Sequence, residues 1–292
     1  MTITAYGLGI ALSAALGLAV CGVTLRRAAI PAEKILPLGL FLMPLGFLFS
    51  RLVFLLGNCT YYLTTLSSLT PALYFWDGGY AMTGAILGIV LGALAYSRTL
   101  RVPRRAVMDA LSLGLSLFIL IARLFERGTG LGEGREGAPL LGFFPWEGMQ
   151  PVWLAEALAA LLLFLYLVFR MRTSAHQSLF PRFLMLWCLS QVFLESLRDD
   201  GHLVVHFVRI QQVLCFLCVL CMLMMALHRM RKEGRPGLAC GLIAAVWMLA
   251  GLGIFSEFGV DRWGAPSLAY AVMLVCLCSL GGIWLYARRN KE

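Results

Sequence analysis

Apolar residues do not alternate along this chain; they run on in long stretches separated by short polar connections. A helix needs about 20 mostly apolar residues to cross the hydrocarbon of a bilayer. Nine stretches come near that length: 6 to 25, 35 to 56, 80 to 97, 106 to 123, 151 to 169, 183 to 198, 210 to 228, 237 to 256 and 266 to 286. Barrel strands would be shorter and would alternate with a period of two. The pattern therefore predicts an all-α polytopic membrane protein of about nine transmembrane helices. Composition agrees, with 60% of the 292 residues hydrophobic and only 13% charged. The last two stretches, beyond Gly234-Arg235-Pro236-Gly237, read as an appended hairpin, so the expected organisation is a seven-helix core over 1–232 and a C-terminal transmembrane hairpin over 233–292.

Basic residues give the expected orientation, because Lys and Arg are held on the cytoplasmic face during insertion. Alternate connections carry Arg26, Arg27 and Lys34, then Arg98, Arg101, Arg104 and Arg105, then Arg170, Arg172 and Arg182, then Arg229, Arg231, Lys232 and Arg235, then Arg288, Arg289 and Lys291. These positions hold most of the 24 basic residues, which puts the N-terminus outside and the C-terminus in the cytoplasm. The formal net charge of +9 is then a topology signal and an affinity for anionic inner-leaflet lipid, and nucleic acid is not an expected partner. Arg26-Arg27 follows the first apolar run and no basic residue precedes it, the reverse of a secretory signal, so the first span is expected to stay.

Cysteine chemistry adds little. All cysteines but Cys59 lie inside apolar stretches, so no disulfide framework is expected. Cys215, Cys218 and Cys221 are spaced three apart with no histidine between them, and they read as small packing residues. No metal and no cofactor is expected. The connection 124–150 is rich in Gly and Glu and is too short for a core of its own; it reads as a small lid. The absence of a convincing internal repeat argues against a transporter built from inverted halves.

Polar chemistry gathers on the expected outer side. The run Trp76-Asp77-Gly78-Gly79 opens an apolar stretch with an acid and two glycines, and Gly84 and Gly88 follow within it. Glycines admit a polar group or a second backbone, and an ionisable group at membrane depth is costly unless paired or facing water. Arg51, Arg123, Glu126 and Glu156 stand near the ends of other stretches, while Gln191, Glu195 and Arg198 fall at i, i+4 and i+7 on one helix face. These residues are either buried pairs that fix helix register or a polar cavity with guanidinium groups for a phosphate. Arg123, Glu195 and Arg198 are expected to line it.

In ordered pieces over residues 3–228, the chain resembles the bacterial prolipoprotein diacylglyceryl transferases. Tyr6-Gly7 is similar to a Tyr-Gly of that family, Ser50-Arg51-Leu52 to its Gly-Arg-Ile/Leu, and Trp76-Asp77-Gly78-Gly79 with Gly84 to its Trp-x-Gly-Gly-x-Ser-x-His-Gly. Arg123-Leu124 corresponds to Arg-Leu-x-Asn, and the run from Pro151 to Glu156 to Pro-Ser-x-Leu-Tyr-Glu. Glu195 and Arg198 match the end of Arg-x-x-x-Glu-x-x-Arg, and Gln212-Val213-Leu214 matches Gln-Ile-Leu. The resemblance implies transfer of a diacylglyceryl group from phosphatidylglycerol to the lipobox cysteine thiol of a preprolipoprotein, with glycerol phosphate released, in the bacterial inner membrane. It assigns catalysis to the region of Thr83, Arg123, Glu126, Glu195 and Arg198. It assigns substrate binding to Tyr6, Arg51, Asp77, Gly78, Gly79, Gln191 and Gln212.

Three departures change the chemistry. The family's histidine falls on Thr83, its asparagine on Glu126, and the first arginine of the sixth-stretch motif on Gln191. A hydroxyl cannot replace imidazole as a base near neutral pH. The chain is thus either a divergent transferase whose base is Glu126, His202 or His206, or a catalytically impaired relative that binds an anionic phospholipid or a partner in the membrane.

Single cysteines introduced near residues 67 and 235 test the orientation. Labelling with a membrane-impermeant maleimide should reach the first from outside and the second only after permeabilisation; equal reactivity from one side would overturn the topology.

Overall fold

A computed structural model describes residues 5–59, 62, 74, 78–127, 129–136, 139, 141, 143–144, 147–173, 178–199, 204–205, 208–260, 262 and 266–289. Long helices stand at every position the apolar stretches predict. They are α1 (Ala5–Arg27), α3 (Leu38–Gly57), α4 (Met82–Thr99), α5 (Arg104–Leu124), α6 (Val152–Thr173), α7 (Phe180–Leu197), α8 (Ile210–Lys232), α9 (Pro236–Gly259) and α10 (Pro266–Arg289), with a one-turn α2 (Ala32–Ile35) before α3. Among the described residues, eight helical segments are long and apolar enough to cross a membrane, α2 and α3 counting as one. The exception is α7, where Arg182, Gln191 and Glu195 lower the hydropathy of an 18-residue helix. Among the described residues, a minimal antiparallel hairpin, β1 (Val204–Val205) with β2 (Val208–Arg209), precedes α8, an element the apolar pattern did not announce. The protein is an all-α polytopic membrane protein.

Two compact units interleave along the chain: Met1–Leu131 with Glu156–Leu184 and Gly201–Gln211, and Gly132–Ala155 with Met185–Asp200 and Gln212–Glu292. In the first, small residues let helices touch through their backbones. Gly84, Gly88 and Gly92 form one stripe of α4 against α3. A methyl group on them would come within 2.9 Å of Ser50 Cα, 2.6 Å of the Leu45 carbonyl carbon and 3.0 Å of the Phe41 carbonyl carbon, respectively. Gly17 of α1 and Gly114 of α5 face one another in the same way, a Cβ on either lying within 2.9 Å of the other's carbonyl oxygen. Lipid tails are as apolar as leucine, so close van der Waals packing of this kind, rather than hydrophobic burial, holds membrane helices together.

Polar groups in this unit bind elements that are distant in sequence. Asp109 of α5 accepts from the Leu179 N–H at 2.7 Å, the Phe180 N–H at 3.4 Å and the Ser178 hydroxyl at 3.3 Å. The first N–H groups of a helix have no partner within it, and here a carboxylate from another helix supplies one for α7. Tyr96 of α4 donates its hydroxyl to the Lys34 carbonyl at 2.6 Å, anchoring α2.

In the second unit, α9 and α10 form a hairpin, and α10 also meets α7. Tyr270 packs edge-on to Phe193 at 6.1 Å between ring centroids, and a Cβ at Gly281 would approach Leu189 Cδ1 at 3.1 Å. Gln212 of α8 donates its side-chain amide to the Val192 carbonyl of α7 at 3.1 Å.

Gly88→Leu should collapse the α3–α4 contact, because overpacking costs about 1–3 kcal/mol or more where the obstacle is backbone. Gly241→Leu, where a Cβ meets nothing within 4 Å, serves as the control. Detergent-solubilised thermal unfolding should fall for the first and hold for the second; equal stability would refute the packing account.

Candidate functional site

The C-terminal half of α3 positions the entry to α4. Ser50 donates its hydroxyl to the Ala81 carbonyl at 2.9 Å and accepts the Ala81 N–H on its own carbonyl at 3.1 Å. The neighbouring Arg51, almost fully buried, donates through Nη1 to the Gly78 carbonyl and, at 3.1 Å, to the Gly79 carbonyl, and through Nη2 to the Tyr74 carbonyl at 3.2 Å. Its guanidinium lies over the rings of Phe54 and Tyr80, 5.7 and 5.9 Å from their centroids. Gly78 and Gly79 hold φ of 77° and 76°, a conformation other residues rarely adopt, and a Cβ on Gly79 would sit 2.8 Å from Arg51 Nη1. The paired glycines thus allow the chain to wrap its carbonyls around a cation.

Two hydroxyl-bearing residues lie nearby: Tyr80, whose ring faces the Arg51 guanidinium, and Thr83. Thr83, one residue into α4, carries a buried Oγ1 that has no hydrogen-bond partner among the described residues. Tyr6 is half-buried on α1. Trp76, Asp77, His202 and His206 lie outside the described residues.

The end of α5 carries a second buried cation. Arg123, in the last helical turn, meets Glu126 Oε1 through Nη1 at 2.6 Å and Glu156 Oε2 through Nε at 2.8 Å. All three residues are at most 4% exposed. Glu126 belongs to the turn that closes α5: its N–H donates to the Arg123 carbonyl at 3.1 Å, and its carbonyl accepts the Thr129 hydroxyl at 2.7 Å. Glu156 comes from the first turns of α6. A guanidinium between two carboxylates is a charge-assisted arrangement of fixed geometry. Glu156 stood out in the sequence as a charge in an apolar stretch, but its sharing of Arg123 required the fold.

The second unit has its own polar cluster. Just past the end of α7, Arg198 places Nη1 3.6 Å from Glu195 Oε1, and Gln191, one turn before Glu195, is 2% exposed. The connection after Leu131 is laid along the end of this helix. Gly134 bridges to Arg198 in antiparallel fashion, Asp199 donates its N–H to the Glu133 carbonyl at 2.9 Å, and Gly134 donates to the Gln150 carbonyl at 2.8 Å. Gln150, itself buried, donates its amide to the Pro139 carbonyl. A Cβ at Gly134 would meet the Leu197 carbonyl oxygen at 2.6 Å, so only glycine fits there. Neither Gly134 nor Gln150 was singled out from sequence; a glycine in a glycine-rich connection and a glutamine before Pro151 give no distinctive signal.

Buried ion pairs among long apolar helices mark a polytopic membrane protein whose charges are answered within the chain. The chain belongs to the prolipoprotein diacylglyceryl transferase family, whose model matches residues 1–228. Among curated relatives it is similar to the phosphatidylglycerol–prolipoprotein diacylglyceryl transferase of Clostridioides difficile strain 630, at 25% identity over 216 residues, covering 72% of this chain and 84% of the relative. The enzyme of the same name from Mycobacterium leprae strain Br4923 is 28% identical over 236 residues, covering 72% of each chain. That of Listeria welshimeri is 23% identical over 249 residues, covering 79% and 87%.

Arg123→Ala removes the cation between two buried carboxylates, and breaking a buried pair in this way costs roughly 3–5 kcal/mol. It should also weaken binding of anionic phospholipid more than Asp109→Ala, which loosens only the start of α7. Lipid retention measured by native mass spectrometry, normalised to folded protein, decides; equal losses in both variants would defeat a lipid role for Arg123.

Proposed function

We propose that this chain is a divergent phosphatidylglycerol–prolipoprotein diacylglyceryl transferase of the bacterial inner membrane, acting in lipoprotein biogenesis. The observation that carries the proposal is the family match over residues 1–228, supported by relatives that bear this name. In the reaction the thiol S–H bond breaks, sulfur bonds to the glyceryl carbon, and the C–O bond to phosphate breaks with its electron pair leaving on glycerol phosphate. The thiol proton passes to a base and then to the leaving group. Arg51, Arg123 and Arg198 are the cations proposed for the phosphate. Glu195 is 3.6 Å from Arg198, a separation that suits a role in orienting it. Thr83, Gly78, Gly79, Asp77, Gln191, Gln212 and Tyr6 remain proposed site residues. The base is sought among Glu126, His202 and His206.

Several further assignments belong with this proposal. The basic connections support an N-terminus outside and a C-terminus inside, with a multi-pass core over 1–232; the end of the family match at residue 228 supports treating 233–292 as an added hairpin. The substrates are phosphatidylglycerol or another anionic phospholipid and a preprolipoprotein. A second reading has one specific support: Thr83 and Gln191 stand where the resemblance implies an imidazole and a guanidinium. On that reading the chain is a catalytically impaired relative that binds phospholipid or a partner.

Purified protein, phosphatidylglycerol and a lipobox peptide separate the two. The transferase should release glycerol phosphate, and Thr83→His should preserve or raise the rate. Loss of release in His202→Ala, His206→Ala or Glu126→Gln, with lipid still bound, would identify the base. Release by the unmodified protein would exclude the binding-only reading. Silence in the double variant Thr83→His with Gln191→Arg, phospholipid still bound, would remove the transferase proposal.

A further inference from the structure

Arg123 presents its guanidinium to two carboxylates at once, through Nη1 to Glu126 at 2.6 Å and through Nε to Glu156 at 2.8 Å, with all three side chains buried. A phosphate binds a guanidinium best along an edge, with two parallel N–H···O bonds. The Nη1 of Arg123 already donates to Glu126 Oε1, and Glu156 Oε2 lies at ion-pair distance from its Nε. We infer that Glu126 is a built-in competitor for the phosphate at Arg123, a specificity-determining residue that lowers the affinity of this position for an anionic headgroup. The inference rests on the proposal that the chain binds an anionic phospholipid.

Of the two carboxylates, Glu126 is the one that can yield. Glu156 projects from the first turns of α6 with its side chain 0% exposed, more enclosed than that of Glu126 at 5%. Glu126 lies beyond the end of α5 in a turn, three residues from Arg123, where a change of side-chain torsion moves the carboxylate without moving a helix. An arriving phosphate therefore has to displace the Glu126 carboxylate, while Glu156 keeps the guanidinium in place. Glu126 is close enough and buried enough to compete on equal terms, because both bonds are charge-assisted and screened little by water. Replacing it by an amide keeps the size and removes the charge.

The test uses the full chain in detergent micelles with phosphatidylglycerol, and with diacylglycerol as the probe that lacks a phosphate. Glu126→Gln should bind phosphatidylglycerol about tenfold more tightly than the unmodified protein, the scale of one charge-assisted bond released for the ligand. Diacylglycerol binding should not change. Glu126→Asn should show the same direction, which covers a folding defect peculiar to one variant. Adding Arg123→Ala to Glu126→Gln should erase the gain. Unchanged or weaker phosphatidylglycerol binding in both amide variants overturns the inference while leaving the transferase proposal standing. Loss of glycerol phosphate release with phospholipid binding unchanged also overturns it, and makes Glu126 the base. If neither the unmodified protein nor the variants prefer phosphatidylglycerol to diacylglycerol, the anionic-lipid proposal itself falls.

Discussion

A guanidinium inside an apolar helix bundle has to be answered where it stands, since neither water nor lipid will do so. This constraint organises both units. Arg51 is answered by backbone carbonyls of the segment entering α4, Arg123 by two carboxylates, and Arg198 by Glu195 of the helix it follows. Each solution fixes a different kind of element. The first shapes a connection, the second ties the end of α5 to α6, and the third orders the end of a single helix.

The glycines serve the same constraint from the backbone side. Gly78 and Gly79 adopt left-handed φ so that carbonyls can converge on Arg51, and Gly84 and Gly88 let α4 come against α3 where Ser50 and Ala81 exchange hydrogen bonds. Close helix packing and cation binding are thus adjacent consequences of one short sequence run. The run is polar at its start for the charge and small further on for the packing.

Much of this was legible in the sequence. The helices were, because a lipid environment demands long apolar runs, and their ends fell near the basic and glycine-rich connections. The count differs at α7, where the same Arg182, Gln191 and Glu195 that advertise chemistry also lower its hydropathy. Buried charges were legible as interruptions of apolar stretches. Their partners were not. Backbone carbonyls have no residue type, so the binding of Arg51 to Gly78, Gly79 and Tyr74 left no mark beyond two glycines. Asp109 read as a charge near a helix end, and its role in capping α7 from 70 residues away needed three-dimensional contact. Glu156 and Arg123 are likewise joined only by the fold.

On the proposed transferase reading, this chain departs from the family pattern it resembles in the chemistry of a few site residues. On that reading Thr83, near the start of α4, stands where the resemblance implies an imidazole and offers no titrating group near neutral pH. Glu126, where the resemblance implies an asparagine, places a carboxylate against Arg123 just beyond the end of α5. A carboxylate there contributes to the folded state through the same guanidinium that a phosphate would require. Stability and ligand affinity are therefore opposed at Arg123: the stronger the internal pair, the more an incoming anion must displace. On the proposed reading the internal pair keeps the site ordered, and binding of an anion requires the Glu126 carboxylate to give way.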